Sequence, residues 1–252
     1  MAVSLVEAIR GVAVLSRLFG TGPMVAYRAS RAGLDRTAAR AIILSHVNSV
    51  RRWARVELDV APVPKRAGSG FVLVYNQTSI ADDLGNLDVL WRFADYSVLA
   101  SEYGRIPFFG SAARRVGIVL MKRGDRQATD ETLRRLARWA AEGSVVSVAA
   151  EGRLSPGGEV GHFKRGAFLV AIRAGVPVVP MTVWGGRSIL RPGSLRLRAG
   201  MLTYRFGSPI SVDGLTEDDA PAMAEEARRA VARLLAGARG EIGGSTTAEH
   251  GG

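Results

Sequence analysis

The chain has 252 residues, of which 47% are hydrophobic and 23% charged; these values fit a well-packed domain and exclude disorder over most of the length. It contains no cysteine, which excludes disulfides, thiolate nucleophiles and cysteine-ligated metals, and its three histidines lie too far apart to predict a metal site. The net charge of +11 suits a nucleic acid, anionic lipid or a small anionic substrate, or reflects an arginine-rich composition alone, but no nucleic-acid-binding motif accompanies it.

The first quarter of the chain predicts two helices. Residues 3–19 are apolar but carry Glu7, Arg10 and Arg17, so this segment is too charged to span a bilayer and lacks the pattern of a signal peptide. Its apolar residues cover well over half of a helix, which therefore either packs on the domain or lies in a bilayer interface. Residues 36–55 predict a second helix that ends in arginines around Trp53, a combination suited to a membrane–water interface.

Apolar, β-rich runs alternate with helical patterns through the rest of the chain. The runs that predict buried strands are 71–75, 116–120, 145–149 and 176–183. The segments that predict helices are 129–143, 164–174 and 217–236, and the alternating residues 195–206 predict a hairpin. This order predicts an α/β fold in which a mixed sheet is covered by helices.

The same patterns divide the chain into three parts. Residues 1–57 are predicted to form N-terminal amphipathic, membrane-associating helices, and residues 58–237 the α/β domain. Residues 238–252 are rich in glycine, serine and threonine and are predicted to form a disordered tail.

Four segments with polar residues, glycine or proline follow one another in order. They are Asn76-Gln77-Thr78-Ser79-Ile80-Ala81-Asp82-Asp83, Arg105-Ile106-Pro107-Phe108-Phe109-Gly110, Glu151-Gly152-Arg153-Leu154-Ser155 with Phe163-Lys164-Arg165-Gly166-Ala167, and Val176-Pro177-Val178-Val179-Pro180. The first and third directly follow predicted strands, where α/β proteins usually place their site. Their glycines and basic residues could bind a phosphate, although each segment alone also has an ordinary structural explanation.

Together the four segments resemble the glycerolipid acyltransferase family, which includes the lysophosphatidic acid acyltransferases. That family carries Asn-His-x4-Asp, then Ile-Pro-x-x-Gly, then Glu-Gly-Thr-Arg with Phe-Lys-x-Gly, then Pro-x-x-Pro, and the resemblance covers about residues 50–235. It implies a glycerolipid acyltransferase-like fold and transfer of a fatty acyl group from acyl-CoA or acyl carrier protein to a lysolipid hydroxyl, without an acyl-enzyme. It further implies a membrane lipid as partner at the cytoplasmic face of the cell membrane, and no cofactor beyond the acyl donor.

The resemblance also implies the site residues. Gln77 stands where the family has the histidine that removes the hydroxyl proton, and Asp82 stands where the family has the aspartate that orients this histidine. The residues that the resemblance places at the substrate are Asn76, Ser79, Arg105, Glu151, Gly152, Arg153 and Lys164.

The sequence departs from the family at Gln77, because an amide is not basic at neutral pH. The amide could donate a hydrogen bond to Asp82 and turn its carbonyl toward the substrate hydroxyl, but it could not accept the proton. Three replacements are open: Asp82 or Asp83 with a pKa raised by burial, His162 from the loop after Glu151, or the phosphate of the substrate. Arg153 also replaces the family's threonine, which leaves the acceptor open.

Three further functions remain open beside a lysolipid O-acyltransferase. One is a catalytically silent homologue that binds lipid or acts as a scaffold for a partner. Another is an acyltransferase with an unusual acceptor such as an amine, which needs less help from a base. A nucleic-acid-binding protein is the most distant alternative.

Overall fold

The computed structural model describes residues 2–31, 33–63, 70–122, 124–155 and 157–248. The strands of its sheet are β1 Val56–Val60, β2 Phe71–Tyr75, β3 Tyr96–Ala100, β4 Ile118–Met121, β5 Val145–Ala149, β6 Val178–Trp184 and β7 Gly200–Phe206. Their order across the sheet is β1-β7-β6-β2-β5-β3-β4. Neighbouring strands run parallel except β6 and β7, so the sheet is mixed, as the sequence predicts.

Helices precede the sheet, connect its strands and follow it. They are α1 Ala2–Gly20, α2 Gly22–Ser30, α3 Arg36–Ala54, α4 Asp83–Leu90, α5 Phe109–Val116, α6 Arg126–Ala141, α7 Gly166–Ala174, α8 Gly186–Ile189 and α9 Ala220–Ala248. Short 3₁₀ turns lie at Ile80–Asp82, Ser101–Arg105 and Glu217–Asp219.

Both faces of the sheet are covered, which explains the uninterrupted apolar sequence of β2. Val72 and Val74 belong to an apolar cluster that includes residues of α6, α7 and α9. Phe71, Leu73 and Tyr75 point the other way and belong to a cluster with residues of α1, α3 and α4. Alternate residues of a strand face opposite sides of a sheet, so a strand covered on both sides has no polar positions.

The strand directions place the loops after β2 and β5 side by side. Five neighbouring strands, β6, β2, β5, β3 and β4, run in one direction, so their carboxyl ends share one edge of the sheet. Tyr75 and Ala149, the last residues of β2 and β5, are paired across the ladder. The first and third sequence segments therefore leave the sheet at adjacent points.

Helix α1 is apolar on two faces. Val14 is 1% exposed and packs, with Leu15 and Leu18, in the cluster beneath α3 and α4. Leu5 and Ile9, by contrast, are 63% and 61% exposed. None of the helices in the described part of the chain is both long and apolar enough to cross a membrane.

The sequence predicts the central strands well and the edges of the sheet poorly. Strands β2 and β5 have the predicted bounds, and β4 and β6 begin two residues later than predicted. The hairpin at 195–206 is wrong, because residues 200–206 alone form a strand, which pairs with β1 and β6. Strands β1 and β3 are not predicted, since their sequences mix polar with apolar residues.

The last helix runs further than predicted. Helix α9 continues to Ala248, so residues 238–248 are helical rather than a disordered tail, and residues 249–252 lie outside the described part. Arg239 stacks on Trp184 and Glu241 bonds with Arg205, which fixes the helix to the sheet beyond its predicted end. At the other end of the domain, the predicted boundary between residues 57 and 58 falls inside β1.

Gly85 provides a test of the packing between α4 and the sheet. A Cβ at Gly85 would collide with Tyr204 Oη and lie 2.8 Å from Leu58 Cδ2. We expect Gly85→Ala to lower the free energy of unfolding by about 1–3 kcal/mol in urea titrations, although alanine favours helices by about 1 kcal/mol.

Gly237→Ala is the matched control, because Gly237 lies in α9 and a Cβ added there would have no atom within 4 Å. This substitution is expected to raise the free energy of unfolding by about 0.5–1 kcal/mol. Stabilisation by both substitutions would contradict the close packing of α4 on β1 and β7.

Candidate active site

The loops after β2 and β5 are joined by backbone hydrogen bonds. The Ser155 N–H donates to the Gln77 carbonyl at 2.9 Å, and the Ala150 N–H donates to the Tyr75 carbonyl at 3.1 Å. The position of Gln77 is therefore fixed by the segment that carries Glu151, Gly152 and Arg153.

Gln77 is paired with a carboxylate, but the partner is Asp83. Gln77 Nε2 donates to Asp83 Oδ1 at 2.8 Å, and Asn86 Nδ2 donates to the same oxygen at 3.3 Å. The spacing of the family motif implies Asp82 instead, and the structure corrects this prediction. The reason is the 3₁₀ turn at Ile80–Asp82, which turns Asp82 inward and leaves Asp83 to begin α4.

Asp82 holds this turn together. Its side chain is 0% exposed, and its Oδ2 accepts the N–H groups of Thr78 and Ser79 at 2.7 and 2.9 Å and the Thr78 hydroxyl at 3.3 Å. Gly186 packs against the other oxygen so closely that a Cβ there would collide with it. Asp82 therefore anchors the turn, and the hydrogen-bond partner of the Gln77 side chain is Asp83 instead.

Asn76 and Ser79 also belong to the scaffold rather than to the substrate surface. The Asn76 amide bonds with both backbone groups of Val183 and with the Thr182 hydroxyl, at 3.0–3.1 Å. Ser79 Oγ donates to the Leu190 carbonyl at 2.6 Å. Both side chains are buried and use their polar atoms within the protein, and neither lines the cavity described below.

Glu151 is likewise buried in its own loop. It is 5% exposed, and its Oε2 accepts hydrogen bonds from the Ser155 hydroxyl and from the Gly161 N–H. Glu151 stabilises the loop after β5 and does not line the cavity described below. Gly152 follows in a left-handed conformation with φ of +67°, where a Cβ would lie 3.0 Å from Lys164 Nζ.

The structure brings together some of the predicted basic residues and separates one. Arg153 and Lys164 are exposed and line the same cavity as Gly152. Arg105 is exposed at the end of the second 3₁₀ turn and does not line that cavity, whereas its neighbours Tyr103 and Ile106 do. The expectation that Arg105 joins Arg153 at one anion site is therefore not supported.

A cavity of about 1050 Å³ joins these polar residues to an apolar interior. Its lining includes Gln77, Asp83 and Asn86 together with Gly152, Arg153 and Lys164. The apolar lining comes from α2, α3, α4, α5, β3 and β4, for example Ala26, Val47, Leu87, Phe109, Val98 and Ile118. Pockets of about 300–1,000 Å³ hold drug-sized ligands, so this one has room for a substrate with a long apolar chain.

Neither histidine in the described part of the chain is hydrogen-bonded to the Gln77 side chain, whose partner is Asp83. His162 is exposed, does not line the cavity and acts electrostatically on Glu225 of α9. His46 lines the cavity but lies 3.5 Å from the Thr21 hydroxyl, and burial, with the charge of Arg17, lowers its pKa. His250 lies outside the described residues, among which no cluster of acidic and histidine side chains could hold a metal.

Three carboxyl groups close to Gln77 are shifted toward their protonated form. Burial raises the pKa of Asp83 to about 6, against the opposing hydrogen bonds from Asn86 and Gln77. Burial likewise raises the pKa of Asp82 to about 7 and that of Glu151 to about 7. Of the three, Asp83 lines the cavity. A perturbed carboxyl group in a cavity is typical of functional sites, where proton transfer requires a pKa near the working pH.

Comparison with known proteins identifies the family. The family model described as Acyltransferase matches residues 56–184, just over half of the chain. The chain belongs to this family. The match runs from β1 to the end of β6 and contains both loops that meet at Gln77.

Several curated relatives share this region. A Brassica napus protein named 1-acyl-sn-glycerol-3-phosphate acyltransferase BAT2, chloroplastic, is 34% identical over 130 residues, which cover 52% of this chain and 37% of the relative. The Homo sapiens protein named 1-acyl-sn-glycerol-3-phosphate acyltransferase alpha is 28% identical over 165 residues, which cover 64% of this chain and 57% of the relative. The chain thus spans less than two thirds of the relatives' length.

A solved structure confirms the fold over nearly the whole chain. The 1-acyl-sn-glycerophosphate (LPA) acyltransferase PlsC from Thermotoga maritima superposes with a TM-score of 0.68 at 22% identity. The superposition covers 94% of this chain and 96% of the other, so it extends well beyond the region that the family model matches.

Sequence reasoning missed three residues of the site. Thr78 and Gly186 contact Asp82 in the turn, and Asn86 donates a hydrogen bond to Asp83. Asn86 had a detectable signal, because it lies three residues after Asp83 and therefore on the same face of a helix that begins there. Thr78 and Gly186 gave no signal, since their contacts with Asp82 form only in the folded chain.

The pH dependence of the free energy of unfolding should reveal the raised pKa of Asp83. A carboxyl group whose pKa is raised on folding stabilises the protein fully below its unfolded pKa of 3.8, and this contribution is lost as the pH rises through about 6. We expect Asp83→Asn, which keeps an oxygen for both amides, to raise the free energy of unfolding at pH 7.5 by about 1–2 kcal/mol. The gain should shrink toward pH 4.5 in urea titrations.

The control for this measurement is Asp88→Asn in the same helix. Among the described residues Asp88 pairs with Arg92 alone, at 3.4 Å near the surface, so its loss should change the free energy of unfolding by less than about 1 kcal/mol. A stability curve of Asp83→Asn that runs parallel to that of the wild type would contradict the assignment of a raised pKa to Asp83.

Proposed function

We propose that the protein transfers a fatty acyl group from acyl-CoA or acyl carrier protein to the free hydroxyl of a lysolipid at a membrane surface. The proposal rests on family membership, on relatives named as 1-acyl-sn-glycerol-3-phosphate acyltransferases, and on the cavity that Gln77 and Asp83 line. The observation that carries most weight is the Gln77–Asp83 hydrogen bond, which pairs the residue in the family's histidine position with a carboxylate that lines the cavity.

The geometry gives Gln77 an orienting role. Its Nε2 donates to Asp83, so its amide plane is fixed and its Oε1 is available to accept a hydrogen bond from a substrate hydroxyl. Holding an alcohol in the attack geometry lowers the barrier even without proton transfer, because the entropy of positioning is already lost on binding.

The remaining polar lining suits an acceptor with an anionic headgroup. Arg153 and Lys164 are exposed to the cavity beside Gly152, whose lack of a side chain leaves Lys164 room. A phosphate there would be attracted by both charges and could approach the backbone at Gly152. The apolar walls of the same cavity suit a fatty chain.

The exposed face of the N-terminal helices supports the membrane part of the proposal. Among the described residues, most of the exposed large apolar side chains lie on the first three helices. They are Leu5, Val6, Ile9, Val12 and Phe19 on α1, Met24 and Tyr27 on α2, and Trp53 on α3. Arginines on the same helices could reach anionic headgroups, a combination typical of interfacial helices. Because acyl-CoA and acyl carrier protein are cytoplasmic donors, we place the protein at the cytoplasmic face.

Vesicle binding tests this surface. Ile9→Asp puts a charge in the centre of the exposed apolar face of α1, where Ile9 is 61% exposed. We expect about tenfold weaker sedimentation with phosphatidylglycerol vesicles, since burial of an isoleucine contributes about 1.5–3 kcal/mol. Leu215→Asp, an exposed apolar residue outside these helices, should bind as the wild type does. Equal binding of Ile9→Asp and the wild type would contradict the assignment.

A catalytically silent homologue is the second candidate, and the replacement of the family's histidine by Gln77 is the observation that favours it. Such a protein would bind lipid or acyl donor in the same cavity without turnover.

Acyl transfer from labelled acyl-CoA and labelled acyl carrier protein to a panel of lysolipids separates the two candidates. The panel includes acceptors with phosphate and amine headgroups. We expect turnover by the wild type and a kcat lower by about 10–100-fold in Gln77→Ala, which removes the orienting amide. A silent wild type beside an active Gln77→His would instead support the silent homologue.

A further inference from the structure

Two adjacent carboxylates follow Gln77, and their surroundings differ completely. Asp82 is 0% exposed and accepts three hydrogen bonds from Thr78 and Ser79 on one oxygen, while Gly186 closes off the other. Asp83 is only partly buried and lines the cavity that Gln77 also lines. A substrate in the cavity can therefore meet Asp83 but not Asp82.

We propose that Asp83 is the general base of this site and accepts the proton of the substrate hydroxyl that Gln77 orients. This inference rests on the proposed acyl transfer and assigns to Asp83 the proton transfer that the family performs with histidine.

The hydrogen bonds of Asp83 leave one oxygen for this role. Gln77 Nε2 and Asn86 Nδ2 both donate to Oδ1, at 2.8 and 3.3 Å. No group in the described part of the chain donates to Oδ2. The two amides thus fix the orientation of the carboxylate without neutralising it, and Oδ2 keeps its lone pairs for a substrate proton.

The other titratable groups near Gln77 are less suited to accept a proton. Glu151 does not line the cavity and bonds with Ser155 and Gly161. Tyr75 lines the cavity, but burial and the charges of Asp83 and Asp82 raise its pKa, so it stays protonated. His46 lies against the Thr21 hydroxyl, and burial, with the charge of Arg17, lowers its pKa and so disfavours a proton on the ring.

The electrostatics of the position agree with this geometry. Burial raises the pKa of Asp83 to about 6, and burial also raises the pKa of the adjacent Asp82 to about 7. Asp83 is therefore mostly ionised at neutral pH and is a stronger base than an exposed aspartate. General bases work best when their pKa lies close to the operating pH.

The step balances without any further reactant. Asp83 Oδ2 takes the hydroxyl proton as the alcohol oxygen attacks the thioester carbonyl carbon, which forms the new C–O bond. The tetrahedral intermediate then expels the thiolate as the C–S bond breaks. The thiolate takes the proton from Asp83, which returns to its carboxylate form and leaves an ester and a free thiol.

The test measures kcat and KM for acyl transfer between pH 5 and 9 in the wild type, Asp83→Asn, Asp88→Asn and Gln77→His. Asp83→Asn keeps an oxygen for the amides of Gln77 and Asn86, so the fold and the orientation of Gln77 should survive, as urea titrations will check. We expect its kcat to fall by about 10²–10⁴-fold with KM changed less than threefold. Wild-type kcat should fall below about pH 6, and Asp88→Asn should match the wild type.

The outcomes separate the inference from the proposed function. An active wild type whose kcat survives in Asp83→Asn within threefold would overturn the role of Asp83 and leave acyl transfer standing. A silent wild type beside an active Gln77→His would show an acyltransferase site in which Asp83 is not a sufficient base. Silence in both proteins with every donor and acceptor would overturn acyl transfer itself, and with it the inference.

Discussion

The Asp82 carboxylate holds the turn on which the whole site depends. It accepts two backbone N–H groups and a hydroxyl from Thr78 and Ser79, and it is sealed by Gly186. Loss of this acceptor would leave two buried N–H groups unsatisfied, each at a cost of about 1–3 kcal/mol. Gln77 precedes this turn and Asp83 follows it. Because the turn is fixed, the side chains of these two residues are held within hydrogen-bond distance of each other. Asp82, the aspartate of the motif, therefore positions the residues of the site but does not itself line the cavity.

The sheet places this turn against the second functional loop. Parallel pairing of β2 with β5 brings their carboxyl ends together, and the Ser155 N–H then fixes the backbone at Gln77. The same arrangement gathers Asp82, Asp83 and Glu151, all with a pKa raised by burial, in a small volume. A protein optimised for stability alone would not keep three such carboxyl groups together, so this cluster is consistent with a functional demand on the site.

The N-terminal helix α1 both packs on the domain and exposes apolar side chains to its exterior. Helix α1 uses one apolar face for packing through Val14 and leaves another exposed at Leu5 and Ile9. The sequence offered core packing and interfacial contact as alternatives, but a helix with apolar residues around most of its surface can do both. Residues of α1 and α2 also line the cavity, so the proposed membrane contact and the proposed lipid site involve the same helices.

The sequence by itself determined the α/β class, the central strands β2 and β5, the two helices that α1 and α3 represent, and the family to which the four ordered segments belong. These features depend on local periodicity and motif spacing, which the linear order of residues carries directly. Only the tertiary structure decided which carboxylate faces the cavity, because Asp82 and Asp83 are adjacent in sequence and a 3₁₀ turn of three residues separates their directions. The tertiary structure also decided that the side chains of Asn76, Ser79 and Glu151 bond within the protein and that Arg105 lies outside the cavity lining. Burial and long-range hydrogen bonds arise only when distant segments of the chain pack together.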